Sequence, residues 1–273
     1  MNGNESVASR SPFGERLRWW RKRRGRSQLE LATAAGTSQR HVSFLESGRA
    51  APSQPMVLAL AAALNISLRH QNALLAAAGF AAIWREGRLG GPELVLVDRA
   101  LGHILTQQEP YPAFVVDRHW NLKRANDGAV RLVEFLLGAV PEGDVNLADA
   151  LVSPAVLRPF VVNWQEVALH FIRGVQADAI ADGTPESSAL LARLLHYDGV
   201  AALAASALVE EGPRPLLPIH LAKGDVSLHL FTTIATLGTP QDITVQEIRI
   251  ECFFPVDESS ARFFRERAVI PAT

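Results

Sequence analysis

SQLELATAAGTSQRHVSFLESGR, residues 27–49, decides how the first third of the chain is read. Ser27 followed by Glu30 forms a capping box, in which the hydroxyl and the carboxylate each satisfy an orphan amide at a helix start. Gly36 stops that helix, because a tight C-terminal turn needs a positive φ that glycine adopts without strain. Ser38 caps a second helix that carries Val42 and Leu45 inward and leaves Gln39, Arg40, Ser43 and Phe44 facing away. Small Ala32 lets the two helices approach closely. Caps and a glycine would also suit a plain helical hairpin. The alanine, the glycine and the apolar Val42 at these offsets favour a helix-turn-helix, a module that sets its second helix in a DNA major groove.

On that reading Gln39 and Arg40 are the candidate base readers. Glutamine pairs bidentately with adenine and arginine with guanine, each worth roughly 1–3 kcal/mol of discrimination. Ser38 and Ser43 lie on the same surface, and Phe44 either touches a thymine methyl or packs on its own domain or at a dimer contact. Gln28, at the start of the preceding helix, and Arg49, in the following loop, are candidate phosphate contacts. So is Arg21, on a first helix over about Phe13–Arg24 whose other face carries Phe13, Leu17 and Trp20. Such a basic run is either a solvated face or, beside a recognition helix, a source of backbone affinity.

Charge is distributed to match. The 273 residues carry a formal net charge of -1, but residues 1–90 hold thirteen Lys or Arg against five Asp or Glu, and residues 91–273 hold fourteen against twenty-three. A basic module tethered to a domain that avoids the polyanion produces this asymmetry. One cysteine, Cys252, excludes an internal disulfide. No stretch approaches the roughly 18 apolar residues of a membrane span, and there is no apolar segment at the N-terminus, so the expectation is a cytoplasmic protein with no membrane partner.

The expected organisation is a polar tail over 1–11, a five-helix domain over 12–80, a Gly/Pro-rich linker over 81–92 and a second domain over 93–273. Within the first domain, Ser53 caps a helix with Pro55 in its first turn, and Ser67 starts the last helix, closing at Gly79. A helix at about 93–107 belongs to the second domain or acts as a lever. Tyr111 to Asn121 alternates as a strand buried on both faces, Asp117–His119 turns, Trp120 to Lys123 returns, and Asn126 caps a helix to Gly138. Residues 160–180 read as one amphipathic helix broken from what precedes it by Pro159. Another helix starts at Thr184, and 199–209 is too apolar for exposure. The end, from Leu217, gives three strands and a final helix capped by Asp257. In the last strand Arg249 and Glu251 alternate with Ile248, Ile250 and Cys252, so one face is wet or paired. Five strands with helices on one face would leave a cavity between them.

Residues 13–80 resemble the helix-turn-helix domain of the phage-repressor-like (XRE) regulators, with SQxELA, GTS, VSxLExGR and Pro52 in place. LRHQNALLAAAGF, then EPYPAFVVDRHWNLKRAN, then LFTTIATLGTPQDITVQEIRIECFFPVD resemble regulators that carry a MmyB-like ligand-binding domain. The likeness is strong at 13–80, 107–126 and 226–257. It implies a mixed fold class: an all-α five-helix helix-turn-helix domain followed by an α/β PAS-like domain with an antiparallel sheet and packed helices. It further implies double-stranded DNA as partner, a homodimer, and a long apolar ligand such as a fatty acid.

An anionic headgroup in an apolar pocket needs fixed donors. Arg173, His170 and Asn163, on or beside the 160–180 helix, are the candidates, with Trp120, Asn126, Trp164, Val167 and Phe171 as pocket lining. Arg173 is alternatively a surface residue paired with a carboxylate, His170 a satisfied histidine, and Trp164 plain core. No HExxH, serine elbow or glycine-rich phosphate loop is present, so no catalytic or metal residue and no cofactor is expected. His220 and His229 fall on neighbouring strands and can face each other, more simply by chance than as a metal site. The competing readings are a second domain that serves only dimerisation or protein interaction, and a metabolic enzyme with an accessory helix-turn-helix.

Overall fold

The computed structural model describes residues 11–206 and 216–268, which form two compact units. Of the expected tail over 1–11, only Ser11 is described, and it caps the first helix; residues 1–10 and the end of the apolar 199–209 stretch fall outside the described residues.

The first unit holds five helices: α1 Pro12–Arg23, α2 Gln28–Ala34, α3 Gln39–Ser47, α4 Gln54–Ala63 and α5 Leu68–Ala77. The capping box at Ser27 and the caps at Ser38 and Ser53 form as read. Gly36 turns between α2 and α3 with φ +65°. Phe13, Leu17, Leu31, Val42, Leu45, Leu60 and Leu75 build the core. Gly14 is where α1 meets α3: a Cβ there would lie 2.6 Å from the Leu45 carbonyl oxygen and 2.8 Å from that of Glu46.

Two expectations change in this unit. Residues 81–87 are not free linker, since Asn72 accepts from the Ile83 and Trp84 amides and Trp84 Nε1 donates to Gln71, 2.8 Å away. The unit also takes in Thr239–Gln246 from far along the chain. Asp242 accepts from the Gly87 amide, and Ile243 donates to the Arg85 carbonyl. Ser67 leaves its helix's amides uncapped and bonds His70 instead, while Gln246 Oε1 accepts from Leu68 N at 2.7 Å.

The second unit is built on a five-stranded antiparallel sheet. Its elements are α6 Val95–Gln108, β1 Ala113–Val116, β2 Leu122–Ala125, α7 Asp127–Leu137, α8 Leu147–Val152, α9 Trp164–Asp182, α10 Pro185–Leu195, α11 Val200–Ala205, β3 Ile219–Lys223, β4 Val226–Ala235, β5 Arg249–Pro255 and α13 Glu258–Ala268; the short α12 Ile243–Glu247, in the β4–β5 connection, falls in the first unit but for Glu247. Strand order is β2-β1-β5-β4-β3. β1 is buried on both faces: Ala113 and Val115 face α6 together with Ile248, Ile250 and Cys252, while Phe114 and Val116 join the core under α7 and α9. Helices therefore cover both faces, and α6 belongs to this unit. The long helix begins at Trp164 rather than 160, because Val161 bridges Leu221 and Val162 N donates to the His220 carbonyl, holding the chain extended.

Candidate DNA-reading surface and ligand cavity

Within the first unit, α3 buries Val42 and Leu45 and exposes Gln39 and Arg40 on its first turn. Ser38 is exposed, its hydroxyl accepting from the His41 amide. Ser43 and Phe44 are half-buried one turn on. The Arg40 and Arg49 guanidinium groups lie 5.1 and 5.9 Å from the Phe44 ring centroid, so two cations sit close to the ring. Gln39, Arg40 and Arg49 together make an outward, cationic edge.

Two residues expected at DNA are engaged inside the unit. Glu46 lies one turn beyond Val42 and shares its inward face, with a side chain 0% exposed. Arg21 Nε and Nη2 donate to it at 2.5 and 2.9 Å, Gln28 Nε2 at 2.9 Å and Arg18 Nε at 3.4 Å. A buried carboxylate must collect donors, and these are the ones within reach. Burial alone would raise its pKa, but the Arg21 and Gln28 hydrogen bonds and the Arg21 and Arg18 charges hold it below the usual range. Arg24 is likewise committed, to the Leu64 and Asn65 carbonyls that end α4. The i to i+4 spacing of Val42 and Glu46 is the sequence signal for this network, since helical periodicity puts both on one side.

The second unit holds a partly open cavity of about 960 Å³ between the sheet and the helices α7, α8 and α9. That is the upper end of the range for small-molecule sites, roughly 300–1,000 Å³. Of the residues expected to line it, Trp120, Val167, His170, Phe171 and Arg173 do. Trp120 meets Phe171 edge-on at 4.5 Å and sits at φ +66°, a backbone region side chains rarely adopt. His170 and Arg173 are exposed, and no carboxylate pairs with Arg173 among the described residues.

Asn126, Asn163 and Trp164 do not line the cavity. Asn126 is buried and uses its side chain in full: Oδ1 accepts from the Ala113 and Ala129 amides, and Nδ2 donates to the Leu105 and Tyr111 carbonyls. Asn163 ties α9 to the start of β3 through Pro218 and His220. Trp164 donates to the Leu151 carbonyl, with Arg158 stacked 3.8 Å from its ring centroid.

The polar face foreseen on the last strand is cavity wall. Arg249, Glu251 and Phe253 line it from β5, and Thr232 and Ile234 from β4. Arg249 is paired with Asp178 at 2.6 Å. Burial pushes the Glu251 carboxyl up to about 7, against the opposing influence of the Thr232 hydroxyl. Alternation with Ile250 and Cys252 was signal enough that this face differs from its reverse, but not that it faces an interior.

His220 and His229 do face each other, ring centroids 4.2 Å apart, but each has its own partner, Ser227 and Asp257. No cluster of three or more metal-ligating side chains occurs among the described residues. Nor is any helix among them long and apolar enough to cross a membrane.

A helix-turn-helix unit and a second, cavity-bearing unit of antiparallel sheet and packed helices define a two-domain regulator architecture. The chain belongs to the family of the MmyB-like transcription regulator ligand binding domain, whose model matches residues 97–266, and a helix-turn-helix model matches residues 17–71. It is thus a DNA-binding transcription regulator of the helix-turn-helix, XRE type, and these are regulator rather than enzyme families. Among solved structures, a restriction-modification controller protein from Aeromonas hydrophila is similar over 22% of this chain and 92% of its own, with 38% identity and a TM-score of 0.22. No curated protein matches.

Proposed function

We propose that the protein reads a specific operator through α3, as a cytoplasmic homodimer on two half-sites about one helical turn apart, and senses an apolar small molecule in the cavity of its second unit. Gln39 and Arg40 read base edges, Ser43 and Phe44 extend the surface, and Ser38 and Arg49 contact the backbone. The observation that carries the sensing part is the cavity of about 960 Å³, whose lining is mostly leucine, valine and aromatic side chains. β4 and β5 supply its polar wall, and the chain joining them, Thr239–Gln246, belongs to the DNA-reading unit. An occupant that favours one strand arrangement over another thereby biases which state of the dimer matches its half-sites.

A fatty acid is one occupant of this class, and its carboxylate would need Arg173 or His170. Two experiments test the proposal. Arg40→Ala is expected to relax preference at one operator position by about 1–3 kcal/mol while leaving other positions unchanged; a uniform loss across all sequences removes Arg40 as a reader. Mass spectrometry of a denatured extract of the purified protein is expected to release an apolar molecule. An empty extract, together with no binding of any alkyl probe, would instead favour a dimerisation module with a ligand-free core.

A further inference from the structure

The cavity wall holds a carboxyl group, Glu251, with no ion-pair partner among the described residues. Glu251 sits between Arg249 and Phe253 on the cavity face of β5, with Thr232 of β4 lining the cavity beside it. Arg249 is committed to Asp178 on α9. The other charged or titratable groups on the lining also lie on α9: Glu166, bonded by Asn163, and the exposed His170 and Arg173. None of them forms an ion pair with Glu251 among the described residues. α7, α8 and β3 add only apolar side chains to the lining. Glu251 is half-buried and lines the cavity.

A carboxylate withdrawn from water without a counter-ion is strongly disfavoured, and burial accordingly raises the point at which this one ionises. An apolar ligand bringing a positive charge to this wall would restore ionisation and gain a charge-assisted hydrogen bond. A ligand bringing a carboxylate to the same place would meet either a like charge or a proton that must be retained. We propose that the cavity is selective for hydrophobic amines, molecules with an apolar chain or ring system and a basic nitrogen that pairs with Glu251. This deepens the sensing role proposed above and rests on the cavity being the ligand site.

The test is calorimetric titration of the purified full-length protein with decylamine, 1-decanol and decanoic acid, each below its micellar concentration, at pH 8. Decylamine is expected to bind at least about tenfold tighter than decanoic acid, the usual scale of one charge-assisted bond. Glu251→Gln removes that preference, and an unchanged circular dichroism spectrum with a cooperative melt shows that the variant is folded. Decylamine stays protonated between pH 6 and 8, whereas Glu251 titrates near 7. Its affinity therefore rises about tenfold over that interval in the parent and stays flat in Glu251→Gln. Decanoic acid binding as tightly as decylamine, or Glu251→Gln leaving decylamine unaffected, overturns the amine assignment. Binding of 1-decanol in that case leaves the cavity as a ligand site, while failure of all three probes rejects the cavity reading and the inference together.

Discussion

Replacing Arg21 by alanine separates two roles that a basic residue on the first helix can play. If Arg21 contacted phosphate, its loss would weaken binding to every duplex and lower the salt slope by about one. The structure instead gives its guanidinium two bonds to Glu46, at 2.5 and 2.9 Å, and one to the Arg26 carbonyl at 2.9 Å. Side-chain exposure in this pair is 12% for Arg21 and 0% for Glu46, so solvent screens the pair little. Breaking a buried pair from one side costs about 3–5 kcal/mol, because the remaining charge is left unpaired. Gln28 and Arg18 still reach Glu46, so we expect a loss of about 2–4 kcal/mol at pH 7 for Arg21→Ala. The pH dependence has a defined sign. Glu46 titrates below its ordinary value in the folded chain, so its contribution is present above the unfolded carboxyl pKa and lost as pH falls through the folded one. The deficit of the variant should therefore narrow as pH falls toward 3. Urea unfolding of the full chain at several pH values, with Glu46→Gln completing a double-mutant cycle, measures the coupling directly. Parental stability combined with a reduced salt slope for DNA would refute the assignment and return Arg21 to the phosphate backbone.

Two further substitutions test the packing and the cavity. Gly14→Ala places a methyl group 2.6 Å from the Leu45 carbonyl oxygen, on backbone that cannot swing aside, so α1 and α3 must separate. A cost of about 1–3 kcal/mol and a lower melting temperature are expected, and an unchanged melt would mean that the crossing is looser than described. Glu251→Gln should stabilise the ligand-free protein above pH 7. A carboxyl whose pKa is raised to about 7 on folding contributes least once pH exceeds that value and imposes no penalty below its unfolded pKa. The gain should appear in melts at pH 8, on the order of 1–3 kcal/mol, and vanish at pH 4. Equal effects at both pH values would show that Glu251 is not desolvated.

Local chemistry fixed much of the first unit in advance. Ser27 with Glu30, Ser38, Gly36 and Ser53 act on amides and turns within a few residues of themselves, so their spacing announces α2, α3, α4 and the turn between the first two. The same holds for Asn126 as a helix cap, for the two-faced burial of β1, and for the alternation along β5. What sequence could not decide is where a side chain goes when its partner lies far along the chain. Gln28 and Arg21 looked outward until Glu46, eighteen and twenty-five residues away, proved to be buried and in need of donors. Asn126 reads equally well as pocket lining or as cap, and only the approach of Ala113, Leu105 and Tyr111 commits all its bonds. The cap of α5 comes from Gln246, across 178 residues of chain. Glu251 differs from a solvated strand glutamate only because helices close over its face of the sheet. Helix caps and strand alternation are short-range effects written into neighbouring residues, whereas burial and ion pairing depend on which distant segments fold against each other, and that is settled only in three dimensions.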